Sequence, residues 1–587
     1  MNISFIRSHL DELSISAILA AIFGASDFVS RNIHLTQLPP KLLRKGIVPI
    51  EITEFWSSVI SKNIFIGVVC IVLAILIIFL LLKTVEFEFV GIHKPSILLI
   101  LIAFIIGAYL WRFPESNLDF YRYYQAAKTI SKIGLINYII EWSPSKTDLP
   151  FIPMLYGIIF NFLGISRVAI QIFKTICFTA TVYLTYWLGS RLWNQTVGIY
   201  SGLILMGIIP FIFQIPTTLV DIPYVFLVVL FTSCVIITYH HKKWYVGAIF
   251  TLLLIPLVLL SKGSSVIYIP TIFIGVTLFA IFQTNNRKDT IVRSFFISLS
   301  AFVILVISTI IFSQKIRLLY ESTSQRRPWI QGAETSSIIH VITRLLSDAW
   351  TIRNPLGWIQ NSIILLGIIV FATSFFAILY LFKKRDSKFI LLIAWMVLPL
   401  FFLPGGHRID LVRYLFPSLP VFAIASAFIL SRFRKKIGQM LLISVILSSF
   451  LTASIMYVPL RNVNSMTAEQ SACDLVNSLD VDSVGLVHIA ETADGKRLIS
   501  HSGQLMIHFE YQLSPDLQYY TVYELIELGQ RGDDLPDVLI LVSDTYYIPD
   551  FFDSFLSFNY RLISVKEGYL GGAWSPLICR IFVTRAE

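Results

Sequence analysis

Asp119, Asp221, Lys262 and the cluster His407, Arg408, Asp410 and Arg413 interrupt a chain that is otherwise strongly apolar. Charge at the end of an apolar span is costly unless it pairs with something, so it marks a functional surface by default. A carboxylate within hydrogen-bond reach of a hydroxyl can take its proton. That chemistry is open to Asp119, in NLDFYRYY, and to Asp221, in PTTLVDIPYVF. Lys262, in LLSKGSSVIYIP, and His407, Arg408 and Arg413, in GGHRIDLVRYLFPSLP, supply the cations. Arginine engages phosphate oxygens bidentately, and lysine meets them as a compact charge. Each has a plainer use as well. Asp221 could cap a helix N-terminus, Lys262 could snorkel, and Asp410 could pair with Arg413 at i,i+3. Lys174, about two turns into a span, reads as a snorkelling cation.

The elements that must position these residues are membrane spans. Of 587 residues, 56% are hydrophobic and 14% charged, against roughly 25% charged in an ordinary soluble chain. Runs long enough for a hydrocarbon core of about 30 Å lie near 64–83, 95–111, 168–190, 195–213, 216–238, 243–261, 264–284, 291–313, 357–382, 389–403, 411–430 and 438–459. The Gly- and Asp-interrupted run 13–29 either spans or lies in the interface. The fold class is therefore a polytopic α-helical membrane protein with about 12–13 transmembrane helices. No small-residue cleavage site follows the start, so no cleaved signal peptide is expected.

The net charge of +10 does not indicate a nucleic-acid surface, because the basic residues are spread over short loops. Arg191, Lys242–Lys243, Arg287–Lys288, Lys383–Lys384–Arg385 and the run Arg432, Arg434, Lys435, Lys436 fall in alternate loops. The positive-inside rule makes those loops cytoplasmic. Alternation then places Asp119, Asp221, Lys262 and the 407–413 cluster together on the extracytoplasmic face of an integral plasma-membrane protein. A shared face implies one site.

Three domains follow: 1–94, with one or two extra spans; 95–459, a transmembrane catalytic region with external loops 112–166 and 314–356; and 460–587, an external soluble α/β domain. In the first loop, Tyr121, Tyr123, Tyr124, Tyr138 and Trp142 suit the headgroup level, and 151–165, too short for a comfortable span and flanked by Pro150 and Pro153, reads as an interfacial or re-entrant helix. The second loop holds six basic residues from Lys315 to Arg353, Arg326 and Arg327 among them. In the tail, strand-like 483–489, 537–542 and 577–584 alternate with helix-like segments including 467–479. The five cysteines, Cys70, Cys177, Cys234, Cys473 and Cys579, are scattered and indicate no metal cluster, and Cys473 could pair with Cys579 as a disulfide.

The ordered series of Asp119 in the first loop, DLPFIPMLYGIIFNFLG, TYWLGSRLWNQTVGIYSGLILMGIIPF, VDIPYVF, SKGSSVIYIP and RYLFPSLP resembles the GT-C glycosyltransferases. These take sugars from polyprenyl-phosphate carriers, as protein O-mannosyltransferases and aminoarabinose transferases do. The resemblance covers roughly 95–430. It departs from the family where Phe120, not a second acidic residue, follows Asp119, and where the Pro segment lacks a Lys-Pro-Pro form.

The resemblance implies a GT-C-like transmembrane region that moves a sugar from undecaprenyl or dolichyl phosphate to an acceptor hydroxyl on a glycan, lipid or protein, with inversion. Asp119 would act as base, with Asp221 the second candidate. Lys262, His407, Arg408 and Arg413 would hold the donor phosphate, and Tyr121, Tyr123, Arg326 and Arg327 would belong to the donor or acceptor loops. No cofactor is required; a divalent metal is compatible but not indicated. The alternatives are a lipid-linked oligosaccharide polymerase or ligase, a secondary transporter, whose sites should sit at mid-membrane in repeated halves, and a non-catalytic assembly subunit.

Overall fold

A computed structural model describes residues 94–112, 120–135, 137–138, 149–240, 244–283, 287–311, 353–403, 409–456, 467–491, 497–500, 513, 517–520, 524–525, 528, 535–543, 548, 550–569 and 576–584. Outside them lie the expected run 13–29, the span 64–83, Asp119, Arg326, Arg327, His407 and Arg408, together with the side chains of Tyr121 and Asp410.

The first part of the chain is helical: α1 (Lys94–Tyr109), α2 (Phe120–Ile133), α3 (Phe151–Leu163), α4 (Arg167–Leu192), α5 (Gln195–Met206), α6 (Ile209–Ile212), α7 (Asp221–His240), α8 (Trp244–Leu259), α9 (Ser265–Gln283), α10 (Arg287–Ile311), α11 (Arg353–Leu366), α12 (Ile368–Lys383), α13 (Lys388–Phe402), α14 (Leu419–Leu430) and α15 (Lys435–Met456). By length and composition, four helical segments of the described residues could each cross a membrane: Val168–Leu192, Asp221–Tyr239, Ser265–Gln283 and Arg413–Leu430. Many large apolar side chains on α1, α8, α9 and α10 face outward, among them Leu101, Leu253, Ile274 and Phe295. In water such a surface would be unstable; against lipid it is the ordinary exterior of a spanning helix. The protein is an integral membrane protein.

Several expected spans are subdivided. The stretch 195–213 breaks at Gly207 and Ile208, between α5 and α6. The run 357–382 is two helices, because Gly367 adopts φ +78° between them, a conformation L side chains resist. The span 216–238 begins only at Asp221, after an irregular stretch, and 411–430 opens with a 3-10 helix, Ile409–Ser418. Within α13 the turn Ile393–Val397 is widened into a π-helix. Helices approach closely where side chains are small: a Cβ at Gly198 on α5 would lie 2.6 Å from the carbonyl oxygen of Tyr186 on α4.

The C-terminal part is a small α/β domain built on a sheet, with α16 (Thr467–Asn477), β1 (Ser483–Glu491), β2 (Arg497–Ser500), β3 (Gln518–Tyr520), β4 (Val538–Ser543), α17 (Asp550–Asn559), β5 (Tyr560–Tyr569) and β6 (Pro576–Thr584). The strand order is β2-β1-β4-β6-β5, with β3 also paired to β1. The pairs β1–β3 and β1–β4 are parallel, and β1–β2, β4–β6 and β5–β6 are antiparallel. Val484, Leu486, Val538, Ile540, Val542 and Ile581 pack with Ala472 and Val476 of α16 on one face. Val487, Ile489, Leu539, Leu541 and Phe582 pack with Phe552 and Leu556 of α17 on the other. Cys473 and Cys579 share the first of these cores as free buried thiols, so the disulfide that sequence left open is not formed. Burial pushes the Cys579 thiol up to about 12 and raises Cys473 as well, the Cys579 charge adding to its shift.

Candidate active site

The turn between α8 and α9 is where an apolar sequence has to reverse direction. Helix α8 closes with Leu260 N–H on the Pro256 carbonyl, at 2.9 Å. Lys262 follows, and its carbonyl oxygen accepts from Ser265 N–H at 3.0 Å and from Ser265 Oγ at 2.6 Å, which starts α9. This tight reversal leaves the Lys262 side chain only 11% exposed.

The Lys262 ammonium donates to Asp221 Oδ1, and the Asp221 side chain is 2% exposed. Asp221 is the first residue of α7, where an N-terminal carboxylate is favoured by the helix dipole. Two aromatic rings flank the ammonium: Tyr414 at 4.8 Å from the ring centroid and Tyr224 at 5.8 Å, both within cation–π range. Ser264 Oγ donates to the Tyr224 hydroxyl at 3.1 Å. The pair is therefore held from three sides: α7, the α8–α9 turn, and the 3-10 helix carrying Tyr414. Lys262 does not snorkel; it is a fixed cation over a buried counter-charge.

The 3-10 helix is tied to the body through α9 and α13. Tyr268 Oη donates to the Tyr414 carbonyl at 3.0 Å and lies 3.0 Å from Ser418 Oγ. Trp395, in the π turn of α13, donates to the Pro417 carbonyl at 2.8 Å and receives Ser418 Oγ on its own carbonyl at 3.1 Å. A π turn shifts the side chains that follow it relative to an α-helix and recurs at functional sites. Arg413 lies half-buried next to Tyr414 on the same segment.

Helix α3 closes a further side. Phe151 N–H donates to the Leu260 carbonyl at 3.2 Å, and Tyr156 Oη to the Leu219 carbonyl at 3.0 Å. Its 13 residues span about 20 Å at 1.5 Å per residue, too short for a bilayer core. Tyr124 of α2 packs edge-on against Phe160 of α3, with centroids 5.9 Å apart, and Tyr123 is half-buried beside it. The chain leaves α1 at the same end: Trp111 Nε1 donates to Thr175 Oγ1 at 2.9 Å.

Lys174 corrects the sequence reading. It is wholly buried on α4, and its ammonium donates to the carbonyl oxygens of Gln214 and Thr217 and to Thr217 Oγ1 at 3.1 Å. A snorkelling lysine would put its head in water; this one ends in backbone oxygens.

The structure thus brings together Asp221, Lys262 and the segment of Arg413, and adds Tyr224 and Tyr414, which sit inside the motifs VDIPYVF and RYLFPSLP without having been singled out. Among the described residues no three His, Cys, Asp or Glu side chains gather as a metal site.

Residues 145–312 match the family model described as dolichyl-phosphate-mannose-protein mannosyltransferase. ArnT from Cupriavidus metallidurans, solved bound to undecaprenyl phosphate, superposes with a TM-score of 0.51 at 11% identity, over 82% of this chain and 97% of that one. The chain has a GT-C glycosyltransferase fold. The archaeal oligosaccharyltransferase AglB from Archaeoglobus fulgidus, solved with an inhibitory peptide and a dolichol-phosphate, gives 0.44 at 13% identity over 76% of this chain and 69% of that one. No curated protein matches in sequence. The family match covers 145–312, and the likeness of fold extends over most of the chain.

Proposed function

We propose that this GT-C protein transfers a sugar from a polyprenyl-phosphate carrier to an acceptor hydroxyl, at the extracytoplasmic face and with inversion at the anomeric carbon. The observation that carries the reading is the Asp221–Lys262 pair flanked by Tyr414. It presents a fixed ammonium at the end of the helix bundle, level with the segment that bears Arg413. The undecaprenyl phosphate bound by ArnT, which shares this fold, is the kind of lipid such a cation would meet.

In the proposed reaction Asp119 takes the proton of the acceptor hydroxyl, whose oxygen attacks the anomeric carbon from the side opposite the phosphate. The bond from that carbon to the phosphate oxygen breaks, and its electron pair stays with the lipid phosphate. The phosphodiester donor carries one negative charge and the departing monoester gains another, so cations beside it stabilise the transition state more than the ground state. Lys262 has N–H bonds beyond the one given to Asp221, and Arg413 with His407 and Arg408 would add charge that Asp221 does not offset. Asp221, sealed beneath Lys262, acts here as the anchor of that cation. No metal is needed for a leaving phosphate held in this way.

The test is to follow lipid-linked sugar turnover in membranes from cells with and without the gene. Accumulation of a polyprenyl-phosphate sugar on deletion, with loss of one glycan, is expected. Accumulation of a pyrophosphate-linked oligosaccharide instead would favour a ligase or polymerase.

A further inference from the structure

The stretch between α6 and α7, residues 213–220, is irregular yet almost entirely buried: Ile215, Thr217, Thr218, Leu219 and Val220 are all 2% exposed or less. Non-helical backbone buried in protein survives only where protein groups satisfy its carbonyls. Here side chains from two helices do it. Lys174 takes Gln214 O and Thr217 O, Gln171 of α4 reaches Pro216 O at 3.5 Å, and Tyr156 of α3 takes Leu219 O at 3.0 Å. Thr217 Oγ1 also donates to Gln214 O at 2.8 Å while accepting from Lys174. The stretch delivers the chain to Asp221 at its end.

A neutral amide could serve one or two of these acceptors, but an ammonium brings three donors to one point. Burying that charge is costly unless it is fully hydrogen-bonded, so a lysine here needs a reason beyond filling space. We propose that Lys174 is a positioning residue: by clamping residues 214–217 it sets the approach of the chain to Asp221, and through Asp221 the location of the Lys262 ammonium. Lys174 itself touches no substrate. It acts through the Asp221–Lys262 pair, and so the inference rests on the reading of Lys262 as the phosphate-binding cation.

The experiment measures binding of undecaprenyl phosphate to the detergent-purified full chain for the wild type, Lys174→Met, Thr217→Val, Lys262→Ala and the double variant Lys174→Met/Lys262→Ala, with thermal unfolding recorded for each. Lys174→Met should weaken binding roughly ten-fold and Thr217→Val roughly three-fold, while Lys174→Met should change affinity by less than about two-fold once Lys262 is already Ala. A merely structural lysine would lower stability in both backgrounds and leave the two effects on binding multiplicative. That multiplicative outcome, or wild-type affinity in folded Lys174→Met, overturns the inference. If Lys174→Met does not fold, Thr217→Val and the double variant Thr217→Val/Lys262→Ala decide: wild-type affinity in Thr217→Val overturns the inference, and a loss that vanishes in the double variant upholds it. Equal affinity of wild type and Lys262→Ala would instead refute the functional reading itself, whatever position 174 does.

Discussion

Asp221 lies beneath Lys262, with 2% of its side chain exposed against 11% for the lysine, and its Oδ1 takes the ammonium directly. The carboxylate is the more deeply buried of the two, so in the proposed reaction the lysine is the member that meets the phosphate and the aspartate is its anchor. Removing one member of a buried pair leaves an uncompensated charge and typically costs about 3–5 kcal/mol, whereas replacing both is far milder. Asp221→Ala should therefore lower the unfolding temperature clearly, and adding Lys262→Met to it should recover much of the loss. Calorimetry on the four members of this cycle reads the coupling, and additive effects would mean that the pair does not act as a unit.

For the proposed base, Asp119→Asn should abolish transfer while leaving donor binding and folding nearly intact. Loss of a general base costs on the order of 10²–10⁴ in rate. Single-turnover kinetics on purified variant is the check. Near-normal turnover would rule out the base role of Asp119.

Lys262→Ala and Arg408→Ala should each weaken binding of the polyprenyl phosphate by about 1.5–3 kcal/mol, the range for hydrogen bonds to charged groups. An inner-loop cation, changed as Lys435→Ala, should have no effect. Arg408→Lys should rescue only in part, since charge returns without the bidentate fork. Titration with undecaprenyl phosphate decides, and unchanged affinity in both alanine variants would revive the transporter and assembly-subunit readings.

The ring of Tyr414, 4.8 Å from the Lys262 ammonium, should be separable from its hydroxyl. Tyr414→Phe should keep lipid-phosphate affinity, and Tyr414→Ala should lose about 0.5–2 kcal/mol, the worth of a cation–π contact. Equal losses in the two variants would assign the effect to the hydroxyl.

Cysteine labelling should place residues of the C-terminal domain and of 314–356 on the side of the Lys262 turn, and Lys383–Lys388 on the cytoplasmic side. The geometry motivating this is α13, which starts at Lys388 and ends at Phe402, about 22 Å away at 1.5 Å per residue. Tagging of a tail residue from the cytoplasm alone would overturn the arrangement.

Asp221, Lys262 and RYLFPSLP were legible because isolated charge in an apolar chain must find partners, and the alternation of spans brings these ends together. That they would pair with each other was not legible, since periodicity carries no distance between distant turns. Lys174 was misread for a related reason: its partners are main-chain oxygens of Gln214 and Thr217, and backbone acceptors leave no mark in sequence. The helix breaks at Gly207 and Gly367 and the π turn at Ile393–Val397 sit inside runs whose hydropathy is uniform. In the tail, the strands recognised beforehand, β1, β4 and β6, are neighbours in the middle of the sheet. Strands covered on both faces read as apolar runs. The unrecognised β2, β3 and β5 lie at its margins, where β5 reads YRLISVKEGY and its polar residues disguise the period.

The free thiols of Cys473 and Cys579 give the C-terminal domain a clock of its own. Both are buried, and burial holds Cys579 at about 12, so almost none of it is the reactive thiolate at neutral pH. Alkylation must wait for the sheet to part from α16, and its rate measures how often that opening occurs. Cys177 and Cys234 are likewise buried. With Cys70 changed to serine, the native protein should be nearly silent to maleimide, and any slow signal from the tail would time the breathing of its core.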